Sequence, residues 1–306
     1  MIKKIVTIGG GNGQSILLRE LKKYDLDITA LVSMVDNGGS TGIIRNEYQV
    51  LPSGDVRRCL GALVTYNLEL QQTMEYRFKD GFLKDHNFGN LLMLALEKKL
   101  NSYELMIEYL SKAMEIKGQV LPVTLHQTQL MAQLENGEVI SGETNIDIPD
   151  HDADLKIQKV YLEPEVLANP KAIKAISEAD LIIYTIGDLY TSVIPNLLVS
   201  YVKEAINKSK AKKVYTCNRT TKKGETQGFK VNDFVKTLKQ YLGSNSLDYV
   251  LVDENLDPSP AGYELVELDK VKDAQVIKAD LSTEEDRAHI DGKKLAKAIN
   301  DLCQTL

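Results

Sequence analysis

Ile5-Val6-Thr7-Ile8-Gly9-Gly10-Gly11-Asn12-Gly13 is a short apolar run closed by a glycine cluster, the pattern of a strand buried on both faces of a parallel sheet and ended by a tight turn. Leu17, Leu21 and Tyr24 then fall at helical spacing, so strand, glycine turn and helix follow in order. The unit begins again at once. Residues 28–35 read as a second strand, and Asp36-Asn37-Gly38-Gly39-Ser40-Thr41-Gly42 as a second glycine-rich turn. Loops at the carboxyl ends of neighbouring strands share one edge of an open α/β sheet, the edge where such sheets bind ligands. Glycines let backbone amides approach an anion, and a helix amino terminus just beyond adds unpaired N–H donors and its dipole. The two turns together read as a phosphate site. Two sharper versions fail: Gln14 stands where a dinucleotide fingerprint needs its last glycine, and no Gly-Lys-Ser/Thr ending makes a Walker loop.

Working outward, Leu51-Pro52-Ser53-Gly54-Asp55 breaks the chain and starts a helix, with Ser53 the expected cap. Three more helices are predicted over 68–78, 87–100 and 103–117. The middle one carries Leu91-Leu92-Met93-Leu94-Ala95-Leu96, apolar on every side, and is expected to lie centrally in its layer. Residues 118–165 change to a strand pattern, with Asn136-Gly137 a strong hairpin signal; this stretch reads as an antiparallel insertion. Alternation then resumes, with strands at 181–186, 214–217 and 249–252 and helices at 192–208, 231–242 and 293–302. The fold class is α/β: one domain over 1–306, a doubly wound, mostly parallel sheet with an inserted antiparallel and helical subdomain.

The 306-residue chain has a net charge of −6 and a pI near 5.4, which offers no overall attraction to nucleic acid or an anionic membrane. Cys59, Cys217 and Cys303 form no CxxC and give an odd count, which argues against a disulfide framework and for core positions in a reducing compartment. The apolar runs are too short for a signal-peptide core or a membrane span, and a cytoplasmic location is expected. Asp36, where a strand ends, is suited to bind Mg²⁺, a sugar hydroxyl or a nucleophile's proton. The alternative is an Asx turn, in which Asp36 or Asn37 bonds its own backbone.

Six segments in order, GGGNGQS (9–15), DNGGSTG (36–42), LPSGDVRRCLGAL (51–63), HNFGNLLMLAL (86–96), GDLYTSVIPNLLV (187–199) and GETQG (224–228), resemble the CofD/YvcK-like family, most closely its bacterial gluconeogenesis-factor branch. The resemblance covers residues 5 to about 252 and implies a Rossmann-like core with an inserted subdomain. One branch of the family transfers a phospholactyl-type group from a nucleotide-activated donor to a deazaflavin with Mg²⁺. The other binds UDP-sugars such as UDP-N-acetylglucosamine and is tied to cell-wall synthesis and cell shape on gluconeogenic carbon sources. The second branch implies a cytoplasmic UDP-sugar-binding regulator, with cell-wall precursor enzymes as partners and a homodimer as the assembly. The first implies a Mg-dependent transferase.

The resemblance also implies roles. Gly10, Gly11, Asn12 and Gly13 would line the nucleotide diphosphate, while Asp36 and Asp55 would be the catalytic carboxylates of a transferase, with Asp36 the metal ligand. Asn37, Gly38, Ser40, Arg57, His86, Asn87, Asn90, Asp188, Tyr190, Thr191 and Asn218 would be further ligand-binding positions. Bland readings stand beside these: Asp55 as a helix first-turn charge, Arg57 or Arg58 as a surface ion pair, Asn87 as a cap. Three segments depart from the family pattern. Asn37 replaces an aspartate, Asp188 stands in a usual Gly-Pro-Gly-Ser, and Arg219, Lys222 and Lys223 alter the loop before GETQG. Those three cations either compensate Asp188 or form a solvated loop.

Overall fold

The computed structural model describes residues 2–243, 247–255, 263–272, 274–283 and 288–306. The first half of the chain runs β1 (Lys3–Gly9), α1 (Gly11–Leu21), β2 (Leu26–Val32), α2 (Gly39–Tyr48), α3 (Gly54–Leu63), α4 (Leu68–Glu75), α5 (Phe88–Leu100), α6 (Tyr103–Ala113) and β3 (Gln119–Pro122). An inserted layer follows, made of β4 (Gln129–Leu134), β5 (Val139–Ser141), α7 (Glu143–Asp147) and β6 (Ile157–Glu163). The second half runs α8 (Pro170–Glu178), β7 (Leu181–Tyr184), a π-helical turn (Leu189–Val193), α9 (Ile194–Leu197), α10 (Val202–Lys208), β8 (Lys212–Thr216), α11 (Val231–Leu242), β9 (Tyr249–Asp253), β10 (Gln275–Ala279) and α12 (Gly292–Gln304).

Seven strands form one sheet in the order β10-β9-β8-β7-β1-β2-β3, and every neighbouring pair is parallel. The chain winds outward in two directions from the β1/β7 boundary. Because parallel crossovers are right-handed, the helices of the two halves cover opposite faces, and the reversal opens a crevice at the carboxyl ends of β1 and β7. Helix contacts follow that division with one exception: α1 packs on α3, α10 packs on α8, α9 and α11, and the last helix, α12, returns to the first face to pack on α1. Ile5, Ile8 and Leu181 to Tyr184 are fully buried, as strands covered on both faces require.

The second sheet, β5-β4-β6, is antiparallel, and Gly137 takes a left-handed φ of 88° at its hairpin. Its extent corrects the expected 118–165 boundary: β3 lies within that range but pairs in parallel with β2 in the main sheet, so the insertion starts only after it. Three other expectations change, and one strand was missed. The apolar α5 is peripheral, packing on α2, α3, α4 and α6; within Leu91 to Leu96 only Met93 is fully buried, because helices rather than the sheet cover it. Ser53 stands at the N-cap of α3 without a side-chain capping bond. The helix expected over 192–208 is broken, with Tyr201 at φ 76° between α9 and α10. The edge strand β10 was not expected at all: it is short and only partly buried, so its apolar alternation is weak. The three cysteines are free and buried. Among the described residues no helix is long and apolar enough to cross a membrane.

Candidate functional site

The first glycine turn becomes the amino end of α1. Gly10 is the extended N-cap residue and Gly11 adopts φ +64°. At Gly13 a Cβ would lie 2.0 Å from the Ile186 carbonyl oxygen, so only glycine lets the turn after β1 touch the turn after β7. Gln14 is fully buried; its Nε2 donates to the Thr7 carbonyl (3.2 Å), Thr7 Oγ1 (3.0 Å) and the Leu31 carbonyl (3.1 Å). A side chain thus braces α1 against two strands where a dinucleotide site would have glycine and bare contact.

In the second turn, Asp36 Oδ1 accepts from Gly38 N at 2.9 Å, the Asx turn weighed above, and the residue also borders the cavity. Asn37 does not face that space. Its Oδ1 accepts from Thr144 N at 2.9 Å, fastening the turn to α7. Arg45, itself buried, donates to the Val35 and Asp36 carbonyls and to the Thr128 carbonyl, locking the same turn from behind. Asp55, in the first turn of α3, lies against the glycine loop: a Cβ on Gly10 would meet its Oδ2 at 2.7 Å. Burial first, then the Asp36 charge, pushes its carboxyl up to about 6, while Arg58 and the Gly11 amide pull the other way. Arg58 Nη1 donates to Asp55 Oδ1 at 2.7 Å.

These groups border a cavity of about 550 Å³ at the crevice between β1 and β7. Five carboxylates line it, from Asp36, Asp55, Glu143, Asp147 and Asp188, with the guanidiniums of Arg58 and Arg219. The inserted α7 forms one wall. Glu143 there is pushed up to about 8, by burial first and then by Asp36. Across from it, Lys222 Nζ reaches Asp188 at 2.8 Å, Glu225 at 3.3 Å and also Asp147. Burial opposes the charge on Lys222, but Glu225 and Asp188 more than offset this and raise its pKa. The altered loops therefore compensate each other: Lys222 answers Asp188, Arg219 is buried on Asp253 and the Asn255 carbonyl, and only Lys223 is exposed. Asn218 exchanges two bonds with Gly187, its Nδ2 donating to the carbonyl (3.0 Å) and its Oδ1 accepting from the amide (3.4 Å).

Of the residues singled out in the sequence, the fold brings Gly10, Gly11, Asn12, Gly13, Asp36, Gly38, Asp55, Asp188, Thr191 and Asn218 to the cavity. The others lie elsewhere. Arg57 is buried, its Nε donating to Asn90 Oδ1 at 2.9 Å, and lies away from the cavity, so it is not the surface ion pair of its bland reading. Asn87 caps α5, accepting from Asn90 N at 3.1 Å. Ser40 accepts from Asn87 N and sits 3.3 Å from His86 Nδ1; Ser40, His86, Asn87 and Asn90 together pin α2 to α5. Tyr190 is buried and does not border the cavity. Sequence reasoning missed Ser33, Glu143, Thr144, Asp147 and His289, which also border the cavity. The four outside the C-terminal segment lie at a strand end or on the insertion, and no local spacing marks any of the five.

A family model described as 2-phospho-L-lactate transferase CofD matches residues 5–297. This chain belongs to the CofD family. A relative from Thermotoga maritima is 47% identical over 81% of this chain and 78% of its own length. The gluconeogenesis factor of Bacillus subtilis is 37% identical, with 98% of each chain covered. Among solved structures, a Bacillus halodurans protein superposes with a TM-score of 0.93 at 34% identity, covering 98% of this chain and 100% of its own. This CofD-family chain thus shares its Rossmann-like α/β fold, insertion included, with a relative whose crystal structure is known.

Proposed function

We propose that the chain is a gluconeogenesis factor that binds a nucleotide sugar, of the UDP-N-acetylglucosamine class, and acts in the cytoplasm as a regulator of cell-wall precursor supply. The observation that carries this is the cavity at the β1/β7 switch point, where the amino end of α1 and the Gly10 to Gly13 backbone face a space of about 550 Å³, large enough for a nucleotide sugar. The names of the relatives support the gluconeogenic role. Cell-wall enzymes as partners and a homodimer belong to the same proposal.

A diphosphate entering a cavity lined by five carboxylates meets repulsion, so the reading includes a divalent cation. The donor set fits one: Asp36 borders the cavity and offers a hard carboxylate oxygen suited to Mg²⁺. Asp36 would hold the ion, which when bound would neutralise phosphate charge. Calorimetric titration of the purified protein with UDP-N-acetylglucosamine, UDP-glucose and UMP, with Mg²⁺ present, tests the proposal; no heat and no thermal shift with any of the three would overturn it.

A second reading is favoured by the family model's own description. There the chain is a transferase of the phospholactyl type, with Asp36 and Asp55 polarising an acceptor hydroxyl while the glycine loop holds the donor. Product formed from an activated donor and a deazaflavin, and lost in Asp36→Ala, would establish it.

A further inference from the structure

Resting on the nucleotide reading but going beyond it, we propose that Asp55 is the chain's own stand-in for ligand phosphate, and that Arg58 is a phosphate-binding residue that passes from Asp55 to the ligand on binding. A helix amino terminus with its dipole and free N–H groups attracts an anion. Here an anion is already in place, supplied by the next helix. A Cβ on Gly10 would sit 2.7 Å from Asp55 Oδ2, and one on Gly11 would sit 3.8 Å from Oδ1. The carboxylate therefore lies where a phosphate oxygen would approach the glycine backbone.

The partner of that carboxylate points the same way. Arg58 holds Asp55 Oδ1 at 2.7 Å, borders the cavity, and has a side chain 35% exposed. The two neighbouring arginines are committed elsewhere: Arg57 to Asn90 and the Met74 carbonyl, Arg219 to Asp253 and the Asn255 carbonyl. Arg58 is thus the cavity guanidinium whose bonded carboxylate is itself a cavity residue. Exchange of one oxyanion for another needs only a change of partner, since a planar fork fits carboxylate and phosphate alike.

An independent observation marks the same corner. Ser33 follows β2, borders the cavity and is 3% exposed, and its Oγ has no hydrogen-bond partner. A Cβ on Gly10 would lie 3.3 Å from the Ser33 Cβ. Buried hydroxyls without partners are uncommon. Ser33 thus leaves a hydroxyl without a hydrogen-bond partner at the corner where a ligand oxygen would arrive. Phosphate and the Asp55 carboxylate cannot share the place, because two anions in contact repel. Asp55 therefore withdraws as the ligand arrives, and Arg58 and Ser33 are left to the phosphate. The competing account is that Arg58 and Asp55 form an ordinary ion pair three residues apart on a helix, worth little and indifferent to ligand.

Calorimetric titration with UDP in saturating Mg²⁺ decides between them, using wild-type protein, Arg58→Gln and Arg58→Lys, with melting curves of each without nucleotide. The proposal expects Arg58→Gln to bind UDP about tenfold more weakly or worse, and Arg58→Lys to fall between, since an ammonium keeps charge but loses the fork. Melting temperatures should stay within about two degrees of wild type, as for a partly exposed ion pair. If Arg58→Gln binds UDP as wild type does, whether or not it melts lower, the proposal falls and the nucleotide reading stands. If wild-type protein binds no UDP, the proposal falls, and the titration with UDP-N-acetylglucosamine, UDP-glucose and UMP decides whether the nucleotide reading falls with it. A crystal structure of the UDP complex with Asp55 still against Gly10 and Gly11 would also overturn the exchange.

Discussion

Gly13 and Glu143 show how single residues set the properties of the crevice. At Gly13 the missing side chain is what allows the loops after β1 and β7 to meet, since a Cβ would press to 2.0 Å on a backbone oxygen. Gly13→Ala is expected to lower stability by about 1–3 kcal/mol through overpacking against a backbone that cannot yield, measured as a shift of the urea midpoint. Glu143 acts through protons. Its folded pKa of about 8 lies above the ordinary 4.5, with burial the leading cause. Between those two values the folded chain keeps a proton that the unfolded chain has lost, so this group's contribution to stability is present below 4.5 and falls as pH rises toward 8. Glu143→Gln removes the linkage: denaturation across that window should show a flatter pH dependence than wild type, and equal slopes would contradict the assignment. Neither effect was legible beforehand. Gly13 was read as a ligand contact, although its strictest duty is to a neighbouring loop, and Glu143 carried no motif.

Among elements, α7 is the most dependent on its surroundings. Five residues cannot sustain a helix alone. It is held at one end by Asn37 Oδ1 accepting from Thr144 N, and at the other by Asp147 on Lys222. Lys222→Met would leave Asp147, Asp188 and the fully buried Glu225 side chain with their shared cation removed. A loss of about 2–4 kcal/mol is expected, because unpaired buried charge is costly, together with faster hydrogen exchange over Glu143–Asp147. Unchanged exchange there would show that Asn37 alone anchors the helix. The cap at Asn87 could be read from the chain because it is local, a side chain bonding an amide three residues on. The boundary of the insertion could not: β3 looks like its neighbours, and only pairing with β2 assigns it to the main sheet.

For the whole molecule, a net charge of −6 and a carboxylate-lined crevice work against any anionic ligand. Chelation of Mg²⁺ with EDTA is therefore expected to weaken nucleoside diphosphate binding about tenfold or more, while moderate monovalent salt, which screens the acidic field, should raise the metal-free affinity. Calorimetry with UDP at two salt concentrations, with and without Mg²⁺, checks both. The sequence by itself determined the alternating α/β order, the glycine turns after β1 and β2, the exclusion of dinucleotide and Walker spacing, and the family, because each rests on local periodicity, turn chemistry or ordered motifs. Only the tertiary structure decided which polar residues meet. It turned Arg57, His86 and Asn90 into struts between helices, faced Asn37 toward the insertion, and brought Ser33, Glu143 and Asp147 to the crevice. Strand order and inter-helix packing connect residues from about thirty (Arg57 and Asn90) to over a hundred (Asn37 and Thr144) positions apart, and no local pattern encodes which side of a turn a side chain takes once its partner is that distant.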